Sequence, residues 1–517
     1  MVFMKLKWLG LIILIALIPR MFIISQPIET LITKILPDDA FYGYTMSKGI
    51  VDGNGISNGF EQTNGLQLFW ILLRSPLFFL SNEPAVLIKL IMMIQILLDV
   101  LMIASIYLLS KLLDRRIAYA SATLYALNPI IAFTTLNVLE TSLNMLLLSI
   151  AIYFYLRKNN SKSVVDWILL GVLFGFSVLT RLDSVFLITA LLVYLFHKRK
   201  LKINMVPMFI IPAIFLSIWF FWNIVNFGTI HQSSELARYF DTHNLYKEGL
   251  TQTEFLQKAA IAFGKNILFL FHYFGAINLS IWSGVIGMLF AVLLFLGAKE
   301  VRELFPTAIF YFLLLLFFSF YMISPSFRYL APFLPFATIF IAAGIFKVSQ
   351  KIKVDYRPIL GFLILVIIFN GLMLWDKGYF PWQATAIDGA SWIKENTSDD
   401  DIVSSFNSGI FTVLSGKNLI NLDGVVNWGA INAVRNRNVT SYMISKNVSY
   451  WIDAAFLDED IYFKHMRGEE IDIINELKWS DILDEKERLE LIYSNYNIFS
   501  GISGRNSTVV WFVYKLT

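Results

Sequence analysis

Residues 36–70 read LPDDAFYGYTMSKGIVDGNGISNGFEQTNGLQLFW, and the reading of this stretch decides the fold. It follows an apolar run (8–25) and sets Asp38 and Asp39 side by side at what hydropathy makes a membrane edge. Gly53, Gly55, Gly59 and Gly65 follow no strand and open no phosphate-binding helix, so they read as turns and not as a nucleotide loop. The stretch runs into GLQLFWILLRSPLFFL (65–80), which is either a full membrane span or a helix lying along the surface. Arg74 and Pro76 within it favour the surface helix.

The rest of the chain tests that choice by parity. Its 517 residues are 57% hydrophobic and 15% charged, with 46 Phe, and the apolar residues fall in long runs, which excludes a soluble globular protein. A helical span needs about 20 apolar residues. Spans are predicted near 8–25, 85–110, 117–136, 142–156, 167–179, 185–196, 204–222, 278–297, 304–323, 329–346 and 357–375, eleven in all. With eleven, every basic connector falls on the cytoplasmic side: MKLK at the start, KLLDRR (111–116), RKNNSKS (157–163), HKRKLK (197–202), KEVRE (299–303) and KVSQKIKVDYR (347–357). A further span at 65–80 would turn the later connectors outward. The N-terminal MVFMKLKWLGLIILIALIPRMFII has no small-residue cleavage site and reads as a retained first helix.

The same rule divides 167–196, too short for two ordinary spans, into half-length helices meeting at TRLDS (180–184). Charged, irregular backbone at membrane depth is tolerated only against protein or a water-filled cavity. From residue 376 the composition changes: the tail holds 20 acidic and 13 basic residues, which leaves 29 basic and 18 acidic before it. The chain is therefore predicted to hold a transmembrane domain (1–375, first outer loop about 26–84) and an α/β domain (376–517) that parity puts outside the membrane. Strands are expected at DIVSSF (401–406), NLINLD (418–423), VSYWID (448–453) and TVVWFVYKL (508–516), and helices at 388–397 and 469–479.

In this topology five polar clusters share the outer face: Asp38-Asp39, NVLET (137–141) with Glu140, TRLDS with Arg181 and Asp183, NIVNFG (223–228), and SPSFRY (324–329) with Arg328. Each has a plain alternative. The aspartates can cap a helix, Glu140 can sit at a helix N-terminus, Arg181 and Asp183 can be a structural ion pair, and Arg328 can snorkel. As a site, paired carboxylates supply a base whose pKa is raised by its neighbour, and arginine matches phosphate with forked donors. Asp99, inside the second span, reads as packing glue. With no Cys, disulfides, thiolate metal sites and a Cys nucleophile are excluded, and His231 and His272 stand too isolated for zinc. Physical reasoning reaches an outward-facing acidic site beside the bilayer with arginines for an anion, as a sugar linked to a polyprenyl phosphate would need.

The first-loop stretch, with NVLETS, TRLDS, WNIVNFGTI, FRYLAPFLP and the tail sequence WIKENTSDDDIVSSFNSGIFTVLSGKNLINLDGVVN, resembles the integral-membrane GT-C glycosyltransferases. The group it is most similar to is the prokaryotic dolichyl-phosphate-mannose–protein mannosyltransferase-like proteins. The resemblance implies an inverting sugar transfer from a polyprenyl-phosphate donor to a glycan, lipid or protein acceptor on the outer face of the plasma membrane, with no nucleic acid involved. It carries the roles of general base or metal partner onto Asp38 and Asp39, with Asp39 favoured as base. It carries an assisting acid onto Glu140. Donor-phosphate contacts fall on Arg328 and Arg181, and further substrate contacts on Asp183, Tyr329 and Asn64. Some relatives use Mg or Mn, so a divalent cofactor stays open. Gly43 stands where the family pattern often has Tyr, and Gln67 where Pro is usual. The competing readings are a lipid or solute transporter, which predicts repeated halves and midplane charges, and a non-catalytic scaffold, which leaves Asp38 and Asp39 dispensable. Asp423 and Gly424 read as a turn, and four Asn-x-Ser/Thr sequons in the tail (Asn396, Asn438, Asn447, Asn506) permit glycosylation there.

Overall fold

The computed structural model describes residues 2–243, 249–275, 281–323, 327–457, 464, 467, 469, 471–477, 480–500 and 506–517. The chain divides into two compact units. One comprises Met1–Ser25, Ile91–Trp222 and Lys258–Asp376; the other comprises Gln26–Leu90, Asn223–Gln257 and Lys377–Thr517.

The first unit is helical. Among the described residues, seven helices have the length and hydropathy to cross a bilayer: Lys7–Ile24, Pro84–Lys111, Ile203–Phe227, Trp282–Glu300, Arg302–Tyr321, Arg328–Ile352 and Tyr356–Asn396. The count is eight if Arg115–Ala126 and Pro129–Thr135, which meet at a 68° bend, form one span. The other predicted spans correspond to shorter helices, Thr141–Lys158, Val164–Thr180 and Val185–His197. At 65–80 the chain makes a short helix, Leu68–Arg74, continued by a 3₁₀ turn, Ser75–Phe79.

Burial ranks the helices of this unit. Leu334–Ile352 is almost wholly enclosed, whereas Lys7–Ile24 and Ile203–Phe227 leave most of their apolar side chains uncovered, as lipid-facing helices do. Leu334–Ile352 meets Ile281–Glu300 backbone to backbone: a Cβ on Gly344 would lie 2.0 Å from the Leu293 carbonyl oxygen, and one on Gly297 1.7 Å from that of Phe340. Close approach through small residues is a standard device for packing helices in lipid. Asp99 is fully buried; it pairs with Arg20 and accepts the Tyr125 hydroxyl at 2.7 Å, which is the packing role expected of it. Between the predicted spans 204–222 and 278–297 lie the helices Ser233–Thr242 and Gln252–His272.

The second unit is built on a mixed five-stranded sheet: β1 (Ile402–Ser405), β2 (Leu419–Asn421), β3 (Val448–Leu457), β4 (Leu489–Ser500) and β5 (Asn506–Leu516), in the order β2-β1-β3-β5-β4. β1 runs parallel to β2 and β3, and β5 runs antiparallel to β3 and β4. The helix Ser408–Ser415 makes the β1–β2 crossover that parallel pairing requires. Trp451, Phe512 and Tyr514 stack in the core, with ring centroids 5.1 and 5.4 Å from Trp451. The four expected strands are present, β4 is additional, and the helix Ala384–Asn396 covers the predicted one. Of the helix expected over 469–479 only Ile473–Glu476 is helical; residues 470, 478 and 479 lie outside the described set.

Candidate active site

The acidic pair opens the helix Asp38–Val51, directly after Pro37, so both carboxylates sit in the first turn, where the helix dipole favours them. Their surroundings differ. Asp38 is 8% exposed and turns its carboxylate toward the start of Ser408–Ser415, accepting the Ile410 N–H at 2.8 Å and the Gly409 N–H at 3.4 Å. Gly409 permits this approach, because a Cβ there would lie 2.9 Å from Asp38 Oδ1. Burial pushes the Asp38 carboxyl up to about 7, against the opposing pull of the Ile410 N–H and the Tyr42 hydroxyl. Asp453 of β3 grips the same segment, accepting Phe406 N–H at 2.6 Å and Asn407 Nδ2 at 3.3 Å, and burial pushes it up to about 6. Asp39 is only half-buried.

Asp423 is the acid that sequence reasoning missed. It forms the expected turn, accepting the Val425 N–H at 2.8 Å beside Gly424 at φ 80°. It also lies within electrostatic reach of Asp38 and Asp39, and burial, reinforced by these two charges, pushes its carboxyl up. An Asp-Gly turn carries no sign in the sequence of that long-range placement. Among the described residues no three His, Asp or Glu side chains assemble as a cation cage. The oxygens of Asp38 face N–H donors, the wrong polarity for the shell of a cation.

Asn64 joins three segments of this unit. It is fully buried, its amide donates to Asn223 Oδ1 at 3.1 Å and to the His231 carbonyl at 2.9 Å, and its oxygen accepts Ser233 N–H and Trp428 Nε1–H, both at 3.0 Å. All four hydrogen-bonding positions of the side chain are taken. Asn64 is therefore an internal joint of this unit. The departure at Gly43 also has a cause. The buried Arg74 guanidinium occupies the space above it, 1.7 Å from where a Cβ would begin, and Arg74 Nε donates to Ser47 Oγ at 2.8 Å. A tyrosine at 43 would displace this arginine.

In the helical unit the predicted break is present. Val164–Thr180 stops where Arg181 turns extended (φ −154°, ψ 123°), and a 3₁₀ turn, Leu182–Ser184, leads into Val185–His197. The Ser177 carbonyl left at the break accepts Arg181 N–H at 2.9 Å, Ser184 Oγ at 3.2 Å and Asn144 Nδ2 at 3.3 Å. Arg181 forks onto Asp183 at 3.1 and 2.7 Å and reaches Glu140 Oε1 at 2.9 Å, all three side chains being buried. The structure thus joins three predicted residues in one node with two negative charges and one positive. The node commits Arg181 to carboxylates. Arg328 is half-buried, with its guanidinium 5.2 Å from the Tyr329 ring, which in turn stacks on Phe318 of the π-helical turn Phe317–Tyr321. Residues 324–326 of the SPSFRY cluster lie outside the described set. Tyr273 was not anticipated; it bonds Thr134 and lies within electrostatic reach of both Arg181 and Arg328.

Comparison with known proteins follows this geometry. Residues 83–224, a little over a quarter of the chain, match the family of dolichyl-phosphate-mannose-protein mannosyltransferases. No curated protein sequence matches the chain. Among solved structures, the archaeal oligosaccharyltransferase AglB from Archaeoglobus fulgidus, in complex with an inhibitory peptide and a dolichol-phosphate, superposes with a TM-score of 0.59 at 13% identity, over 98% of this chain and 74% of AglB. ArnT from Cupriavidus metallidurans bound to undecaprenyl phosphate gives 0.55 at 12% identity, and apo ArnT 0.56 at 13%, each over 98% of both chains. At these identities the likeness is one of fold, and it spans both units. The chain is built on the GT-C fold of integral-membrane glycosyltransferases.

Proposed function

We propose that the protein transfers a sugar from a polyprenyl-phosphate-linked donor to an acceptor on the outer face of the plasma membrane, inverting the anomeric carbon. The observation that carries this reading is the buried Glu140–Arg181–Asp183 node at a broken helix: charge in a membrane-spanning region is costly and is kept where it serves a site. The shared fold adds support, since its relatives are solved with dolichol-phosphate and undecaprenyl phosphate bound. The acceptor nucleophile attacks C1 of the sugar, the C1–O bond to phosphate breaks, and the polyprenyl phosphate leaves with the electron pair. Asp39 takes the acceptor's proton. Burial pushes the Asp38 carboxyl up to about 7, but its carboxylate is occupied by backbone N–H groups, and geometry decides before pKa. Arg328 meets the departing phosphate, Tyr329 supports its guanidinium, and Arg181 orients Glu140, the assisting acid, and Asp183. The α/β portion of the second unit lies outside the membrane.

The test supplies the purified full-length protein with radiolabelled polyprenyl-phosphate sugars and a panel of glycan, lipid and peptide acceptors. Transfer that is lost in Asp39→Asn and Arg328→Ala, with folding intact, supports the reading. Transfer undiminished in both would sink it, and directional movement of lipid without transfer would reassign the protein as a transporter.

A further inference from the structure

We infer that Gln95 is a positioning residue for Glu140, acting through a strained turn; the inference rests on the assisting role proposed for Glu140. Gln95 is fully buried in the helix Pro84–Lys111. Its side-chain oxygen accepts the Val138 N–H at 3.0 Å, and its amide donates to the Leu139 carbonyl oxygen at 2.7 Å. Both bonds grip the two residues immediately before Glu140.

That turn needs a grip. Val138 sits at φ 66°, a left-handed conformation that is an outlier for a β-branched residue and persists only where its surroundings impose it. Within the turn itself, Asn137 Oδ1 accepts the Leu139 N–H at 3.1 Å. The clamp from Gln95, 43 and 44 residues away along the chain, adds two more from a rigid helix. A glutamine amid apolar side chains is costly to bury unless its amide is bonded, and here its amide bonds this turn. The left-handed step at Val138 leads into Glu140, where the helix Thr141–Lys158 starts and the carboxylate meets Arg181 Nη1. Gln95 thereby reaches the charged node without touching it.

Gln95→Leu removes both bonds at similar volume. With full-length protein, kcat should fall at least ~10-fold while KM for the polyprenyl-phosphate sugar stays within about twofold, because a displaced assisting acid costs rate and not donor binding. Val138→Gly takes the same φ without strain, so added to Gln95→Leu it should restore kcat to within about threefold of the parent. A purely structural role for Gln95 predicts no such rescue. Gln95→Glu keeps the acceptor facing Val138 and should give an intermediate loss; it carries the test should the leucine variant fail to fold. A readout independent of turnover is available because the chain has no cysteine. In Glu140→Cys, labelling by a water-soluble maleimide should quicken about tenfold when Gln95→Leu is added, as the turn opens. Unchanged labelling together with unchanged kcat, or a loss that Val138→Gly does not restore, overturns the positioning role. An inactive Glu140→Gln beside a fully active Gln95→Leu overturns this inference alone, whereas a fully active Glu140→Gln overturns both it and the assisting role on which it rests.

Discussion

Successive residues of an α-helix point about 100° apart, so Asp38 and Asp39 cannot both face the start of Ser408–Ser415. Asp38 takes that position, and Asp39 is left half-buried on another face. Asp39→Asn should lower transfer by at least ~100-fold, the usual range for losing a general base, with the melting temperature unchanged. Asp38→Asn can still accept the Ile410 N–H, so it should fold, and its signature is in pH dependence. Asp38, Asp453 and Asp423 all have folded-state carboxyls raised above the usual 3.8. Between about pH 4 and about pH 7 the folded chain keeps protons that the unfolded chain has released, so these groups make stability fall as pH rises across that window. Thermal melts from pH 5 to 8 should show this decline, and a flatter one for Asp38→Asn; equal slopes would contradict the burial argument. The adjacent acids were legible in the sequence as a feature. Their separate roles were not, because the groups that distinguish them lie 371 and 372 residues away.

At the scale of elements, the sequence was most informative where physics leaves few options. A charged TRLDS inside apolar sequence can end one helix and start another, and it does so at Arg181. β1, β2, β3 and β5 were visible as runs of apolar and β-branched residues. β4 (LELIYSNYNIFS) was not, since it lies at the edge of the sheet and carries serines and asparagines where a central strand would be apolar. Helix packing was also hidden, because a glycine in an apolar run does not announce its neighbour. Gly344→Ala should push the Ile281–Glu300 and Leu334–Ile352 helices apart and destabilise the unit by about 1–3 kcal/mol, the range for overpacking. Gly361→Ala, with open space around its Cβ position, is the neutral control in the same detergent melt.

At the scale of the molecule, the predicted split at 375/376 follows composition, whereas the compact second unit also takes in Gln26–Leu90 and Asn223–Gln257. Hydropathy cannot reveal this, because the joints link residues hundreds of positions apart: Asp38 to Ile410, Asn58 Nδ2 to the Val426 carbonyl at 2.8 Å, Asn64 to Trp428, and Tyr42, Met46 and Ile71 packed on Val426. A fragment of residues 377–517 lacks those partners and should be poorly folded, with broad amide resonances and rapid proteolysis. Adding the first loop and 223–257 in trans should sharpen both readouts. Asn64→Ala in the full chain should lower stability by about 1–3 kcal/mol, since it strands several buried partners at once.

The strand order has a consequence in time. β5, encoded after the other four strands, lies between β3 and β4, so neither can complete its pairing until residues 506–516 have been made. During synthesis the ribosome has by then long since delivered the first loop and the 223–257 segment. Asn64 can already meet Asn223, His231 and Ser233, whereas its bond to Trp428, and those of Asp38 to Ile410 and Asn58 to Val426, wait for the tail. The sheet of the second unit is therefore the last part of the chain that can close during translation.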